Sequence, residues 1–282
     1  MFAERGHVLR RCVRCGLFFI DPYPDARSQT EAIVADYNFG DLEVAAPETY
    51  HRAEVSMYDR FFPAIAEECA GAHRVLDVGC GTGHLLERLG ASFPTLYRAG
   101  IELNPRRAAM ARRYARCDVQ QVPIEHFASD VPFDVVTMIN VISHIPSFDA
   151  LFASVRRLLE PTGRFIIKTG EVAPDVRKRA LFDWSIPDHL HFLGLETLAV
   201  INRKYGFRTV RHDRTPYAAE AFSAENFRAP GRSAVRNALK RGLLSVPLAL
   251  PAMRRAYEVI CGRAIFSSFI VLSPDIGTTR SD

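Results

Sequence analysis

The sequence predicts an α/β protein built on a doubly wound, mostly parallel sheet of seven strands. Three observations carry that prediction. Strand-like and helix-like segments alternate from about residue 73 onward, the order of a sheet with helices on both faces. Two strand-like runs, "VLDVG" and "FDVVTMINVI", are almost wholly apolar, as strands covered on both faces are. The segments between strands carry helix start and stop residues.

The elements follow in order. "VLDVG" is the first strand of the series, and "GHLLERL" the helix after a glycine-rich turn. "LYRAGIEL" is a second strand ending near Glu102. "NPRRAAMARRYA" is a helix with Asn104 as N-cap and Pro105 at its first position, where a missing N–H costs nothing. "CDVQQV" is the third strand and "FDVVTMINVI" the fourth. "FDALFASVRRLLE" is an amphipathic helix closed by Pro161 and Gly163. "GRFIIKTG" is a fifth strand, "LETLAVINRKYGF" a helix ending at Gly206, "FRTVRHD" a sixth strand and "SSFIVLSP" the seventh.

Segments outside this alternation divide the chain. Residues 1–70 form an N-terminal extension with a CxxC knuckle and helices. Residues 71–213 form the core, with a substrate-side insertion at 171–192. Residues 214–264 are a basic helical insertion or lid, and 265–282 the last strand and tail. Ligands of open α/β sheets bind beyond the carboxyl ends of the strands, so additions near that edge build a substrate pocket.

At 282 residues, 48% hydrophobic and 24% charged, the chain can bury a sizeable core without disulfide staples. Six scattered cysteines, and no secretory pattern in "MFAERGHVLRR", lead to a cytoplasmic expectation. No apolar run reaches the roughly 18 residues of a transmembrane helix. A net charge of +4 selects no partner by itself.

The chemistry starts at "VLDVGCGTGHLLERL". Gly79, Gly81 and Gly83 let the backbone turn tightly and a ligand come close. The helix they open has a partly positive N-terminus, which suits a pyrophosphate. Asp77, two residues ahead of Gly79, would repel one. A carboxylate there favours a ligand with ammonium and sulfonium groups, a description that S-adenosyl-L-methionine (SAM) meets. Glu102, at the end of the second strand, can accept both hydroxyls of a ribose.

Together, "VLDVGCGTG", "GIELNP", "FDVVTMINVISHI" and "LLEPTGRFIIKT" resemble the successive motifs of class I SAM-dependent methyltransferases over about residues 73–170. "IPDHLHFLGLETLAVINRKYGF" resembles, more loosely, the branch of ubiquinone-biosynthesis-type O-methyltransferases and sugar or natural-product methyltransferases. "CVRCGLFFIDPYPD" resembles the segment preceding the domain in many of them. The resemblance implies a Rossmann-like fold and a set of roles. Backbone around Gly79 and Cys80 meets the methionine end of SAM, Asp77 orients its ammonium group, Glu102 binds the ribose, and Leu103 flanks the adenine. Val122 and Pro123 fall at the adenine edge, and Asn140 beside the sulfonium. Arg60, 17 residues before Asp77, either pairs with the cofactor carboxylate or is a surface arginine.

A hydroxyl acceptor is a poor nucleophile at neutral pH and gains from a base, for which histidine is suited. His144 follows the fourth strand, and His189 and His191 lie in "PDHLHF". His144 can instead hold its loop by hydrogen bonds, and one of the pair can pack while the other faces the pocket. His189 matches the relatives better as the base. No carboxylate or cysteine is evidently paired with these histidines, so no metal is expected. Cys12 and Cys15 make a single CxxC, with His7 as the one further ligand in view, and read as a remnant knuckle without zinc. Phe182 and Trp184 are either lid packing or an aromatic wall for a substrate ring.

Residues 228–263 hold eight basic side chains and one acid, Glu258; the segment is +7 and the rest of the chain −3. Arg228, Arg232, Arg236 and Lys240 recur every four residues, with "GLLSVPLALPAM" after them. Such a segment is a lid with a solvated basic face or a peripheral contact with an anionic membrane. Nucleic acid is not expected, because "INVIS" is neither an Asn-Pro-Pro-Tyr motif nor a Pro-Cys nucleophile. The expected function is methyl transfer from SAM to a small-molecule or glycan acceptor, at a hydroxyl oxygen. A keto-sugar C-methyltransferase and a non-catalytic SAM-binding regulator are the rivals.

Overall fold

The structure, a computed structural model, describes residues 3–4, 6–34, 48, 51, 58, 60–176, 186–224, 227 and 234–277. In chain order it holds β1 (Ala3–Glu4), β2 (His7–Arg11), β3 (Phe18–Asp21), α1 (Ala26–Val34), α2 (Phe62–Glu68), β4 (Arg74–Val78), α3 (His84–Ser92), β5 (Tyr97–Ile101), α4 (Pro105–Ala115), β6 (Asp118–Gln120) and β7 (Phe133–Ile139). There follow α5 (Phe148–Leu158), β8 (Leu159–Val172), β9 (His191–Gly194), α6 (Thr197–Tyr205), β10 (Phe207–Pro216), α7 (Tyr217–Ala221), α8 (Ala234–Leu244), α9 (Ala249–Cys261) and β11 (Ile265–Pro274).

Seven strands form the expected doubly wound sheet, in the order β6-β5-β4-β7-β8-β11-β10. The first five pair in parallel, and β11 runs antiparallel to both its neighbours. Both faces are covered. Val136, Met138, Phe165 and Ile167 face Phe152, Leu198 and Ile201 of α5 and α6. Val75, Val135 and Ile166 face Ile65, Leu86, Leu89, Ala108 and Ala111 of α2, α3 and α4. Leu86 and Leu89 are wholly buried, and truncating either to alanine would cost about 2–5 kcal/mol. Asn104 caps α4 as its sequence position predicts, accepting from the N–H groups of Arg106 (3.0 Å) and Arg107 (3.1 Å).

The sheet is larger than the seven strands predicted. β8 runs to Val172, past the end of β7, whose last residue Ile139 pairs with Lys168. That overhang would leave unpaired backbone, and β9 takes it up through Glu171↔Leu193 and Val172↔Gly194. β3 then pairs with β9 and carries β2 and β1, giving eleven strands in all. The N-terminal residues are thereby joined to the segment that carries His189 and His191.

Buried Glu171 ties β8 to β10 and β11. It accepts from Arg214 (Nε 2.8 Å, Nη2 3.0 Å), from His212 Nε2 (2.7 Å) and from the Ser268 hydroxyl. Burial alone would raise its pKa, but these donors hold it down to about 2. Among the described residues, no helix is long and apolar enough to cross a membrane.

Candidate active site

The glycine turn joins β4 to α3. Gly79 has a left-handed φ of 72°, and a Cβ there would lie 2.5 Å from a Val141 methyl. Gly83 (φ 84°) lets α4 come close, since a Cβ would lie 2.7 Å from the Ala111 Cα. The donors of the turn are spent inward. The N–H groups of Gly79 and Cys80 donate to the Ile101 carbonyl at 2.8 and 3.0 Å, and that of Gly81 to Glu102 Oε2 at 2.9 Å. An anion cradle needs those N–H groups free. Cys80 is buried with its thiol against Gly100, so only its backbone borders the turn.

Two carboxylates stand there instead. Asp77 is 3% exposed and accepts from the Thr137 hydroxyl at 2.6 Å. Burial, reinforced by the negative charge of Glu102, pushes its pKa from 3.8 up to about 7, against the pull of Thr137. A cation arriving beside it would reverse that shift. Glu102 is also buried; it accepts from Gly81 N and, at 2.8 Å, from Asn104 N. These bonds fix the plane of the carboxylate at the end of β5, where a ribose diol would approach it. The donor set therefore fits a cationic nucleoside and not a pyrophosphate.

Half-buried Leu103 lies just past β5, and Val122 and Pro123, also half-buried, just past β6. Asn140, at the end of β7, adopts a left-handed φ of 58°, which asparagine tolerates, and its N–H donates to the Lys168 carbonyl at 2.8 Å. Its side chain is exposed.

The loop after β7 is stitched to residues 188–191. His144 Nδ1 bonds the Asp188 carbonyl at 2.9 Å, the Leu190 N–H bonds the Ser143 carbonyl at 2.8 Å, and His191 Nε2 bonds the Ile145 carbonyl at 2.9 Å. His144 and His189 face one another with ring centroids 4.7 Å apart, and His189 lies 5.5 Å from Phe192. The Asp188 carboxylate is 3.4 Å from His144 Nδ1, and all three side chains are partly exposed. The sequence reading paired no carboxylate with these histidines; Asp188 is one, and His144, Asp188 and His189 bring their donor atoms within 4.8 Å of one another. His191 departs from its expected role. It is 2% exposed, packs edge-on against Phe148 at 4.5 Å, and burial drives its pKa to about 4. β9 begins at His191, so strand alternation never extends back to His189.

Arg60 Nη2 lies 3.7 Å from Glu220 Oε2 of α7, which Lys168 Nζ approaches to 4.0 Å. Lys168, opposite the last residue of β7, is 4% exposed and its ammonium lies over the Phe61 ring at 4.5 Å. Burial and the Arg60 charge lower its pKa, against the pull of Glu220. Sequence reasoning passed over Lys168, although a cation inside the apolar run "GRFIIKTG" was a signal.

Cys12 and Cys15 form a tight turn between β2 and β3, with Gly16 N bonded to the Cys12 carbonyl at 3.0 Å. His7 sits at the far end of β2, bonded to the Pro22 carbonyl, and does not join them. Phe182, Trp184, Arg228 and Arg232 lie outside the described residues, as does the side chain of Arg236. In the insertion, Arg254 and Arg263 pair with Glu258, while Leu239, Val246, Leu248, Val259 and Ile260 are exposed. A groove of about 300 Å³ between α7 and α9 is lined by Phe222, Leu250, Arg254 and Arg255, and by none of the candidate site residues.

A family model described as "Methyltransferase domain" matches residues 49–212. The chain is 30% identical over 123 residues to a ubiquinone biosynthesis O-methyltransferase of Pasteurella multocida, covering 37% of this chain and 50% of that protein. It is 36% identical over 112 residues to one from Xanthomonas euvesicatoria, covering 36% and 44%. The matches thus span half or less of these curated relatives. Among solved structures, a fragment named "StiE O-MT residues 942-1257" has a TM-score of 0.56 at 18% identity, covering 90% of this chain and 91% of that one. A sarcosine dimethylglycine methyltransferase structure from Galdieria sulphuraria also has a TM-score of 0.56, at 16% identity, covering 77% and 85%. These two are likenesses of fold.

Proposed function

The chain belongs to the methyltransferase-domain family, among the class I SAM-dependent methyltransferases, and on that footing we propose that it methylates a hydroxyl oxygen of a small-molecule or glycan acceptor, with His189 taking the proton. When bound, SAM supplies an electrophilic methyl group on a positive sulfur. Asp77 holds the ammonium end in this reading, Glu102 the ribose, and the backbone at Asn140 borders the transfer site. Leu103, Val122 and Pro123 flank the adenine, and Arg60 serves the cofactor carboxylate once Glu220 releases it.

The observation that carries the oxygen reading is the His144–Asp188–His189 group beside the loop after β7. With Nδ1–H donated to the Asp188 carbonyl, His144 is fixed in orientation, and its ring, 4.7 Å from that of His189, positions the base. The Asp188 carboxylate lies 3.4 Å from the same Nδ1 and helps hold that ring in place. A positioned base of this kind contributes about 10²–10⁴-fold. The curated relatives named above are O-methyltransferases, which agrees. The test is single-turnover kinetics of His189→Ala: kcat should fall within that range while SAM affinity holds. Unchanged turnover would remove His189 from the chemistry.

One observation favours a second role for the insertion. Leu239, Val246, Leu248, Val259 and Ile260 are exposed within the +7 segment. A lid alone would bury such residues, whereas a peripheral contact with anionic lipid would use both features.

A further inference from the structure

The strongest unexplained group lies where the glycine turn passes into α3. His84 opens α3 and is 2% exposed, yet neither of its ring nitrogens has a hydrogen-bond partner among the described residues. A buried N–H and a buried lone pair left open together point to a missing water or ion. His51 lies beside it, 4% exposed and stacked on Tyr114 at 4.0 Å. Its Nδ1 bonds the Thr82 hydroxyl at 2.8 Å, and its Nε2 is 2.7 Å from Glu87 Oε2. Glu87 follows His84 by three residues on α3, on the same helix face. One donor atom from each of His51, His84 and Glu87 lies within 4.8 Å of the others.

We propose that His51, His84 and Glu87 form a site for a borderline divalent cation of the zinc type, separate from the methyl-transfer centre. Two imidazoles and a carboxylate are a three-ligand set for such an ion, with water as the fourth ligand on the exposed side of Glu87. Tetrahedral bonds of about 2.0–2.2 Å hold donors about 3.3–3.6 Å apart. Glu87, 45% exposed, would draw back from His51 by less than about 1 Å, and the three donors, within 4.8 Å of one another, would settle to that spacing around the ion. On loading, Nε2 would lose the proton it donates to Glu87, and Thr82, accepting from His51 Nδ1–H, would hold the ring in the tautomer whose Nε2 lone pair faces the ion. Loaded, the site fastens His51, N-terminal to the core, onto the turn and helix that begin the cofactor site.

The test uses untagged full-length protein, stripped by a chelator and titrated with Co²⁺, then Zn²⁺. One equivalent of Co²⁺ should give visible d–d bands that Zn²⁺ abolishes. Glu87→Gln and His84→Gln, checked for folding by circular dichroism, should each lose the bands. Thr82→Val should weaken binding by about 10–100-fold. His189→Gln should keep the bands, which separates this site from the His144–Asp188–His189 group. Absent bands in the wild type, bands that persist in Glu87→Gln, or bands lost in His189→Gln would each overturn the proposal.

Discussion

Replacing Asp77 with asparagine should make the unliganded protein more stable while weakening its hold on SAM. The carboxyl titrates at 3.8 in an ordinary setting and at about 7 in the folded chain, chiefly through burial. Between those values the folded state keeps a proton that the unfolded state has lost, so stability falls as pH rises through the window. At about 1.36 kcal/mol per pH unit, the ionised group costs about 4 kcal/mol above pH 7 and about 2 kcal/mol at pH 5. Asparagine keeps an oxygen for the Thr137 hydroxyl but cannot ionise. Urea unfolding of both proteins from pH 4 to pH 8 should therefore show a gap opening by about 3–4 kcal/mol in favour of the variant. The cofactor's ammonium group should demand the ionised form. Wild-type SAM affinity should then drop roughly tenfold per unit below pH 7, with proton uptake by the free protein, and the variant should lose that dependence. A gap that stays flat with pH, or SAM affinity equal in both proteins, would refute the placing of a buried, titrating carboxylate at the cation.

Further predictions concern neighbouring groups. Glu102→Ala removes the acceptor of Gly81 N and Asn104 N as well as the proposed ribose ligand, so calorimetry should find SAM binding lost, and NAD should bind neither protein. His191 is held near pKa 4 by burial, below its ordinary 6.5, so it withdraws stability as pH falls through that interval. His191→Gln, which keeps a donor for the Ile145 carbonyl, should narrow its deficit against wild type by up to about 3 kcal/mol between pH 6.5 and pH 4. Co-sedimentation with anionic liposomes should be lost in a variant with Arg232, Arg236, Lys240 and Arg241 changed to Gln, each cation contributing on the order of 1 kcal/mol at low salt. Wild type that stays in the supernatant leaves the insertion as a lid.

What was legible in the sequence was local. "VLDVG" and "FDVVTMINVI" announce buried strands, Asn104-Pro105 a helix start, and Asp77 with Glu102 a turn that turns anions away, because each depends on near neighbours alone. What was missed depended on distant pairing. Nothing in "HVLRR" or "FFID" says that these strands will continue the sheet through β9, since that follows from the overhang of β8 beyond β7. Sequence placed His189 ahead of His191 and let one of the two pack, but that His191 is the one turned inward follows from its bond to the distant Ile145 carbonyl. Asp188 stood beside His189 all along, but its partner His144 is 44 residues away. Thr137 on β7 becomes the partner of Asp77 only when the two strands lie side by side.

The central claim is transfer of a methyl group to oxygen, and the atom that receives it can be read directly. The protein is incubated with SAM carrying a ¹³C-methyl group and with small-molecule fractions of a cell extract, and the products are followed by carbon–proton correlation spectra. A new methyl resonance in the oxygen-bound region, present with wild type and depleted with His189→Ala, is the result expected. A carbon-bound methyl resonance, or label that never leaves SAM in any fraction, would contradict it.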